Sequence, residues 1–165
     1  MNRVYILCVD DEPEVLEAIE RDLREFEDRF PLETAESARE AREVCARILD
    51  NGDRLGAIVC DHLMPEETGV ALLVSMKGEE ALRETRRILL TGQAGQEDTV
   101  RALNEGGLDY FIGKPWNGDE LRQVLRDQLT TYVLAAGLDP MPYLASLDVE
   151  RLGEAIRQGG HLSDT

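Results

Sequence analysis

The sequence predicts an α/β fold in which helices cover both faces of a five-stranded parallel sheet. Short apolar runs alternate with longer amphipathic segments along most of the chain. The apolar runs are continuous, as expected for strands that are buried on both faces. A chain of 165 residues, 42% hydrophobic and 32% charged, has enough length and apolar content for one such domain and an extension.

Each predicted strand is a short apolar run flanked by polar or turn-forming residues. The first, third and fourth runs are the most apolar and are expected at the centre of the sheet, whereas the two shorter runs are expected nearer its edges. The predicted strands are Val4–Val9, Leu32–Ala35, Leu55–Cys60, Arg87–Thr91 and Leu108–Ile112.

Five segments with apolar residues at helical spacing follow these strands. The first segment shows the pattern in Val15, Leu16, Ile19 and Leu23. The predicted helices are Glu12–Asp28, Ser37–Asn51, Glu67–Lys77, Glu97–Glu105 and Asp119–Ala136.

The ends of several helices carry residues with known capping chemistry. Asp11 with Pro13 is predicted to begin the first helix, Ser37 to cap the second, and Asn117 or Asp119 to cap the fifth. Glycines that favour helix ends follow three of the helices, at Gly52, Gly78 and Gly106.

Five units of a strand followed by a helix, joined by right-handed crossovers, favour a flavodoxin-like doubly wound sheet of strand order 2-1-3-4-5. Residues 1–133 are predicted to form this domain, and 134–165 a linker and a short helical extension. Prolines at 140 and 142 should break the fifth helix, and the extension has apolar residues at helical spacing after Val149. In such a sheet, ligands bind beyond the carboxyl ends of the strands where the strand order reverses.

Composition excludes several classes of function. The 34 acidic and 18 basic residues give a net charge of −16, which repels phosphate backbones and argues against direct binding of nucleic acid. The apolar run at Val4–Val9 is far shorter than the roughly 20 residues of a membrane span, so we expect no membrane association and a cytoplasmic location. Cys8, Cys45 and Cys60 match no zinc or disulfide pattern and are predicted to be buried thiols.

Acidic residues follow two predicted strands that should be neighbours. Asp10 and Asp11 follow the first strand, and Asp61 follows the third. Carboxylates this close repel one another unless a cation lies among them, and Mg²⁺ prefers oxygen ligands. Alternatively, each aspartate could simply cap the helix after its strand.

A hydroxyl and an ammonium are predicted at the same edge of the sheet. Thr91 ends the fourth strand, and Lys114 follows the fifth. Taken singly, each is compatible with an ordinary strand threonine or an exposed lysine. Their combination with the acidic residues favours a shared site.

Paired acids, a single acid, a hydroxyl and a lysine, in this order at successive strand ends, form a pattern that resembles the receiver domains of bacterial two-component response regulators, the CheY-like family. The resemblance covers about residues 3–132, and its specificity lies in the whole set of residues.

The resemblance implies that Asp61 accepts a phosphoryl group from a phosphohistidine of a sensor histidine kinase or a phosphotransfer protein. Asp11, Asp61 and the backbone carbonyl of Leu63 would bind Mg²⁺ directly, and Asp10 through water. Lys114 and Thr91 would act with the metal on the phosphoryl oxygens. Such a protein is no enzyme in the usual sense, because it catalyses only its own phosphorylation and dephosphorylation.

The family resemblance also implies a conformational switch. Thr91 would move toward the phosphoryl group and Phe111 into the space that it leaves, although Phe111 could also be a plain core residue. The changed surface would comprise the fourth helix, fifth strand and fifth helix, about residues 95–132. It would bind a downstream partner or effector domain, or form a homodimer. The Lys114-Pro115 peptide bond is expected to be cis.

Three further positions correspond to those that adjust the lifetime of the phosphate in similar proteins: His62, Leu63 and Gln93. His62 could make this lifetime depend on pH, but a solvated loop histidine is the favoured interpretation. Trp116, together with Thr91-Gly92-Gln93, resembles receivers attached to hybrid histidine kinases or cyclic-dinucleotide phosphodiesterases.

Two alternative functions stay open from the sequence. The domain could be a binding module that works without phosphorylation, or the receiver input module of a longer effector such as a phosphodiesterase or a hybrid kinase. A phosphatase of the haloacid-dehalogenase type is disfavoured because no second aspartate lies two residues after Asp61. Flavin binding is disfavoured because a hydroxyl-rich phosphate loop is missing.

Overall fold

The computed structural model describes residues 2–92 and 96–163, in which strands and helices alternate. The strands are β1 (Val4–Val9), β2 (Leu32–Ala35), β3 (Arg54–Cys60), β4 (Arg86–Thr91) and β5 (Tyr110–Gly113). The helices are α1 (Pro13–Asp22), α2 (Ala38–Asp50), α3 (Gly69–Met76), α4 (Gln96–Asn104), α5 (Gly118–Ala135) and α6 (Val149–Ser163).

The strands form one parallel sheet of order β2-β1-β3-β4-β5, which confirms the predicted flavodoxin-like topology. The register aligns the strand ends. Val9 pairs with Cys60, and Thr91 pairs with Gly113. Asp10 and Asp61 therefore leave the sheet side by side, as do Thr91 and Lys114.

Two apolar cores cover the faces of the sheet. Ile6 and Cys8 of β1 point into a core shared with α1 and α5. Leu7 and Val9 of the same strand point into a second core shared with α2, α3 and α4. This alternation lets continuous apolar strands bury both faces, and Cys8, Cys45 and Cys60 are buried free thiols within these cores, as predicted.

Two helices are shorter than the sequence predicts by more than one residue at one end. The first ends at Asp22 instead of Asp28, because the chain tightens into a 3₁₀ turn at Arg24–Phe26 that buries Phe26. The third begins at Gly69 instead of Glu67, because Thr68 has an extended backbone and caps the helix, its Oγ1 accepting a hydrogen bond from the Ala71 amide at 3.2 Å.

The predicted caps hold for two helices and fail for one. Ser37 Oγ accepts a hydrogen bond from the Glu40 amide at 3.1 Å, and Asn117 Oδ1 accepts one from Asp119 at 2.7 Å. Asp11 does not cap α1, whose N-cap residue is Glu12. The neighbouring Asp10 carboxylate instead accepts from the Glu12 amide at 2.9 Å.

Residues after α5 pack back onto the domain. The Tyr143 ring stacks on Phe30 with 5.3 Å between centroids, and Leu147 and Leu152 are buried in the core of α1 and α5. Thr130 Oγ accepts a hydrogen bond from the Asp148 amide at 3.1 Å, which fixes the start of α6 against α5. The extension predicted from residue 134 onward is thus folded against the domain through at least Leu152.

Within the described residues, no helix is both long enough and apolar enough to cross a lipid bilayer.

Replacing Leu152 by alanine tests whether the extension contributes to stability. Because Leu152 is 0% exposed, we expect Leu152→Ala to lower the free energy of unfolding by about 2–5 kcal/mol. Val149→Ala, in the same helix but at a position 60% exposed, should change it by less than about 0.5 kcal/mol. Urea denaturation followed by circular dichroism measures both, and equal effects of the two substitutions would show that Leu152 is not a core residue.

Candidate functional site

The residues predicted to form a site meet at the carboxyl edge of the sheet. Asp10 and Asp11 follow β1, Asp61 follows β3, Thr91 ends β4, and Lys114 follows β5. Four of these five side chains line one open cleft of about 690 Å³, and the fifth, Asp10, lies within hydrogen-bond distance of Lys114. The structure therefore brings these five residues together.

Three carboxylates form the centre of the site. One oxygen of each of Asp10, Asp11 and Asp61 lies within 4.8 Å of the others. Asp10 and Asp61 are only 1% and 7% exposed, and Asp11 is more open to solvent. Three hard oxygen donors at this spacing, with a solvent-facing side for water ligands, fit Mg²⁺.

Lys114 links two of these carboxylates. Its Nζ lies 2.8 Å from Asp10 Oδ2 and 3.5 Å from Asp61 Oδ1. Burial disfavours the ammonium charge, but the hydrogen bond to Asp10 and the charges of Asp10 and Asp61 outweigh it, so the pKa of Lys114 lies above its usual value. Lys114 therefore stays protonated and reduces the repulsion between the carboxylates.

Burial also disfavours the charged form of Asp10, the carboxylate that accepts the hydrogen bond from Lys114. This burial raises the pKa of Asp10, although the hydrogen bonds from Lys114 and from the Glu12 amide act to lower it. The carboxylate is thus held in a place that disfavours its charge, and a nearby cation relieves this cost.

Thr91 lines the same cleft as Asp11, Asp61 and Lys114. It is fully buried at the end of β4, and its carbonyl oxygen accepts a hydrogen bond from the Lys114 amide at 3.3 Å. This bond holds the start of the segment that carries the lysine. The Lys114-Pro115 peptide bond that follows is cis, as expected.

Gly69 is a residue of the site that sequence reasoning missed. A Cβ atom at this position would lie 1.8 Å from the backbone oxygen of Asp61, a distance that no side chain can occupy. The Gly69 amide also donates to the His62 carbonyl oxygen at 2.8 Å. The sequence feature that could have identified this residue is a glycine eight residues after Asp61, near the start of a predicted helix.

His62 contradicts its predicted environment. It is 4% exposed and therefore is not a solvated loop residue. Its Nδ1 accepts a weak hydrogen bond from the Val70 amide at 3.4 Å, so the ring packs against the first turn of α3. The exposed side chain of Leu63 lines the cleft, whereas Gln93 lies outside the described residues.

Phe111 lies on the surface of β5. It is 41% exposed, so the alternative interpretation as a core residue is wrong for this structure. Val100 and Leu103 of α4 and Tyr110 of β5 are also large apolar residues that are exposed.

Trp116 lies at the rim of the cleft and connects it to α1. Its Nε1 donates a hydrogen bond to Asp22 Oδ2 at 2.7 Å, and Arg122 of α5 lies beside the same carboxylate. As the one tryptophan of the chain, Trp116 is a fluorescent reporter next to the acidic cluster.

Comparison with known proteins agrees with the resemblance seen in the sequence. The family described as response regulator receiver domain matches residues 6–126. The hydrogenase transcriptional regulatory protein HoxA of Bradyrhizobium diazoefficiens is 33% identical over 139 residues, which are 81% of this chain and 27% of the relative. HoxA of Cupriavidus necator is 33% identical over 93% of this chain and 29% of the relative. The chain thus spans less than a third of the length of these curated relatives.

Solved structures agree with the fold. The signal receiver domain of an HD domain-containing protein from Pseudomonas fluorescens Pf-5 has a TM-score of 0.72 and 26% identity, covering 83% of this chain and 94% of that one. The signal receiver domain of a signal transduction histidine kinase from Syntrophus aciditrophicus has a TM-score of 0.63 and 35% identity, covering 76% and 89%.

Gly69→Ala tests the close approach of α3 to Asp61. Because backbone atoms would have to move, we expect the substitution to lower the free energy of unfolding by about 1–3 kcal/mol, as overpacking does. Gly78→Ala is the matched control, since its added Cβ would lie at an ordinary 3.7 Å from the Ser75 carbonyl oxygen. Urea denaturation of both variants measures the difference, and a Gly69→Ala variant as stable as the control would contradict the steric argument.

Proposed function

Because this chain belongs to the response regulator receiver domain family, we propose that it is a phosphorylation switch in which Asp61 is the phosphoacceptor. The observation that carries the proposal is the cluster of Asp10, Asp11 and Asp61 with the Lys114 ammonium held between two of them. The donor would be the phosphohistidine of a sensor histidine kinase or of a phosphotransfer protein.

In the proposed reaction, a carboxylate oxygen of Asp61 forms a bond to phosphorus as the bond between phosphorus and the donor imidazole breaks. The product is an acyl phosphate, which water later cleaves to restore the carboxylate and release phosphate. Lys114, 3.5 Å from Asp61, would bind a phosphoryl oxygen, and the Thr91 hydroxyl would bind another. This self-directed chemistry is the only catalysis that we propose.

The carboxylates of Asp11 and Asp61 and the Leu63 carbonyl would hold Mg²⁺, and Asp10 would contact it through water. The ion would neutralise charge on the phosphoryl oxygens during transfer. Asp10 also fixes Lys114 through the 2.8 Å hydrogen bond, so the lysine and the acidic cluster are positioned together.

The phosphoryl group would change the surface of α4, β5 and α5. It adds about −1.5 to −2 charges, which would draw the Thr91 hydroxyl toward it. Phe111, exposed in this structure, would then move inward into the space vacated by Thr91. The exposed Val100 and Leu103 of α4 and Tyr110 of β5 suit contact with a partner protein, an effector domain or a second copy of the chain.

We further propose that the chain works in the cytoplasm as the input module of a longer regulator. The share of the HoxA relatives that it spans, 27% and 29%, supports this role. So do the receiver domains of an HD domain-containing protein and of a histidine kinase among its structural neighbours. The net charge of −16 argues that this part of such a protein does not itself bind nucleic acid.

Intact mass tests the phosphoacceptor directly. Incubation with acetyl phosphate and Mg²⁺ should add the mass of one phosphoryl group, and chelation of the metal with EDTA should prevent it. Asp61→Asn should show no gain because the nucleophilic carboxylate is lost. Asp50→Asn, an exposed acid at the end of α2, should react like the wild type.

The same experiment separates the alternatives. An unchanged wild-type mass would favour a binding module that works without phosphorylation. An equal gain in Asp61→Asn would show that another residue accepts the group.

Metal binding is tested through Trp116, which lines the cleft. Titration with Mg²⁺ should change its fluorescence. Asp11→Asn should weaken the affinity by at least about tenfold, because a neutral amide replaces a charged ligand. Asp50→Asn should bind Mg²⁺ like the wild type, and an Asp11→Asn variant that also does so would refute the assigned ligand set.

A further inference from the structure

The loop of residues 63–68, between β3 and α3, is held in an unusual conformation. Among the described residues, Glu66 is the one non-glycine residue with a positive φ, at 73°. This left-handed conformation brings Cβ close to the backbone and is disfavoured for a glutamate. The loop begins at Leu63, which lines the cleft beside Asp61. Some interaction must therefore stabilise the loop in this conformation.

Part of this stabilisation is local. The Glu67 amide donates to the Pro65 carbonyl oxygen at 2.8 Å, and Thr68 Oγ1 accepts from the Ala71 amide at 3.2 Å. These bonds shape the turn and start α3. These two bonds do not connect the loop to any helix other than α3.

Arg42 of α2 makes that connection. Its guanidinium contacts both carboxylate oxygens of Glu67, with 2.7 Å between Nη2 and Oε2, and 25 residues separate the two in sequence. The same Nη2 donates to Ser75 Oγ of α3 at 2.8 Å. A two-point contact between a planar guanidinium and a carboxylate fixes orientation as well as distance.

Arg42 and Glu67 each shift the pKa of the other in the direction that favours its charged form. The hydrogen bond from Arg42 lowers the pKa of Glu67, and the bond to Glu67 raises the pKa of Arg42. Both side chains are partly exposed, so the contact adds little to global stability. Its main effect is therefore expected to be local, on the residues next to Glu67.

We propose that Arg42 is a positioning residue for the magnesium site. By holding Glu67 it keeps Glu66 in the left-handed conformation, and so keeps Leu63 at the mouth of the cleft next to Asp61. This inference rests on the proposed function, because it concerns the loop that would supply the Leu63 carbonyl to Mg²⁺.

The test compares Arg42→Met with Arg47→Met in the full chain. Arg47 lies on the same helix, and its contact at 3.8 Å is with Glu33 of β2, away from the loop. Titration with Mg²⁺, followed by Trp116 fluorescence, should show an affinity about tenfold lower for Arg42→Met, the size expected of a residue that orients metal ligands. Arg47→Met should bind Mg²⁺ like the wild type.

A second substitution distinguishes positioning from a general loss of structure. Glycine adopts a positive φ without steric cost, so Glu66→Gly in the Arg42→Met background should restore most of the lost affinity. In addition, amide hydrogen exchange without metal should be faster in residues 62–69 of Arg42→Met than in the wild type. Arg47→Met should show no such change.

The outcomes separate this inference from the proposed function. A wild type that binds Mg²⁺ and is phosphorylated, together with an Arg42→Met variant of equal affinity, overturns the positioning role alone. Equal weakening in both arginine variants, or no recovery with Glu66→Gly, also overturns it. A wild type that does not bind Mg²⁺ overturns both proposals.

Discussion

The mutual repulsion of three carboxylates at one edge of the sheet is the constraint on which this structure depends. Asp10 and Asp61 are buried, yet their charges lie within 4.8 Å of each other and of Asp11. Such a cluster is stable only with positive charge nearby. Lys114 supplies one such charge within hydrogen-bond distance of Asp10, and the open side of the cleft leaves room for a metal ion or a phosphoryl group.

The register of the parallel sheet creates this cluster. Pairing of Val9 with Cys60 places Asp10 beside Asp61, and pairing of Thr91 with Gly113 places the threonine beside Lys114. The glycine at position 69 then lets α3 start against the Asp61 backbone. Secondary structure, register and one close backbone contact thus place chemically distinct groups around a single cleft.

Two contacts outside the cleft connect neighbouring segments to the helices around it. The contact between Arg42 and Glu67 connects α2 to the loop after Asp61, and Trp116 connects the segment after Lys114 to Asp22 of α1. Residues after α5 fold back and complete the core beneath α1 and α5. On α4 and β5, the large apolar residues Val100, Leu103, Tyr110 and Phe111 stay exposed.

The sequence by itself determined the sheet order and the five residues of the acidic site, because continuous apolar runs identify buried strands and strand ends identify the reactive edge. Tertiary structure alone decided the rest. The cap at Thr68 shortened α3, and the packing of His62 against that helix buried a residue expected in solvent. Gly69 approaches the Asp61 backbone, and Arg42 contacts Glu67 from another helix. Local patterns record periodicity and chemical type, but they contain no information on which side chains approach from another element.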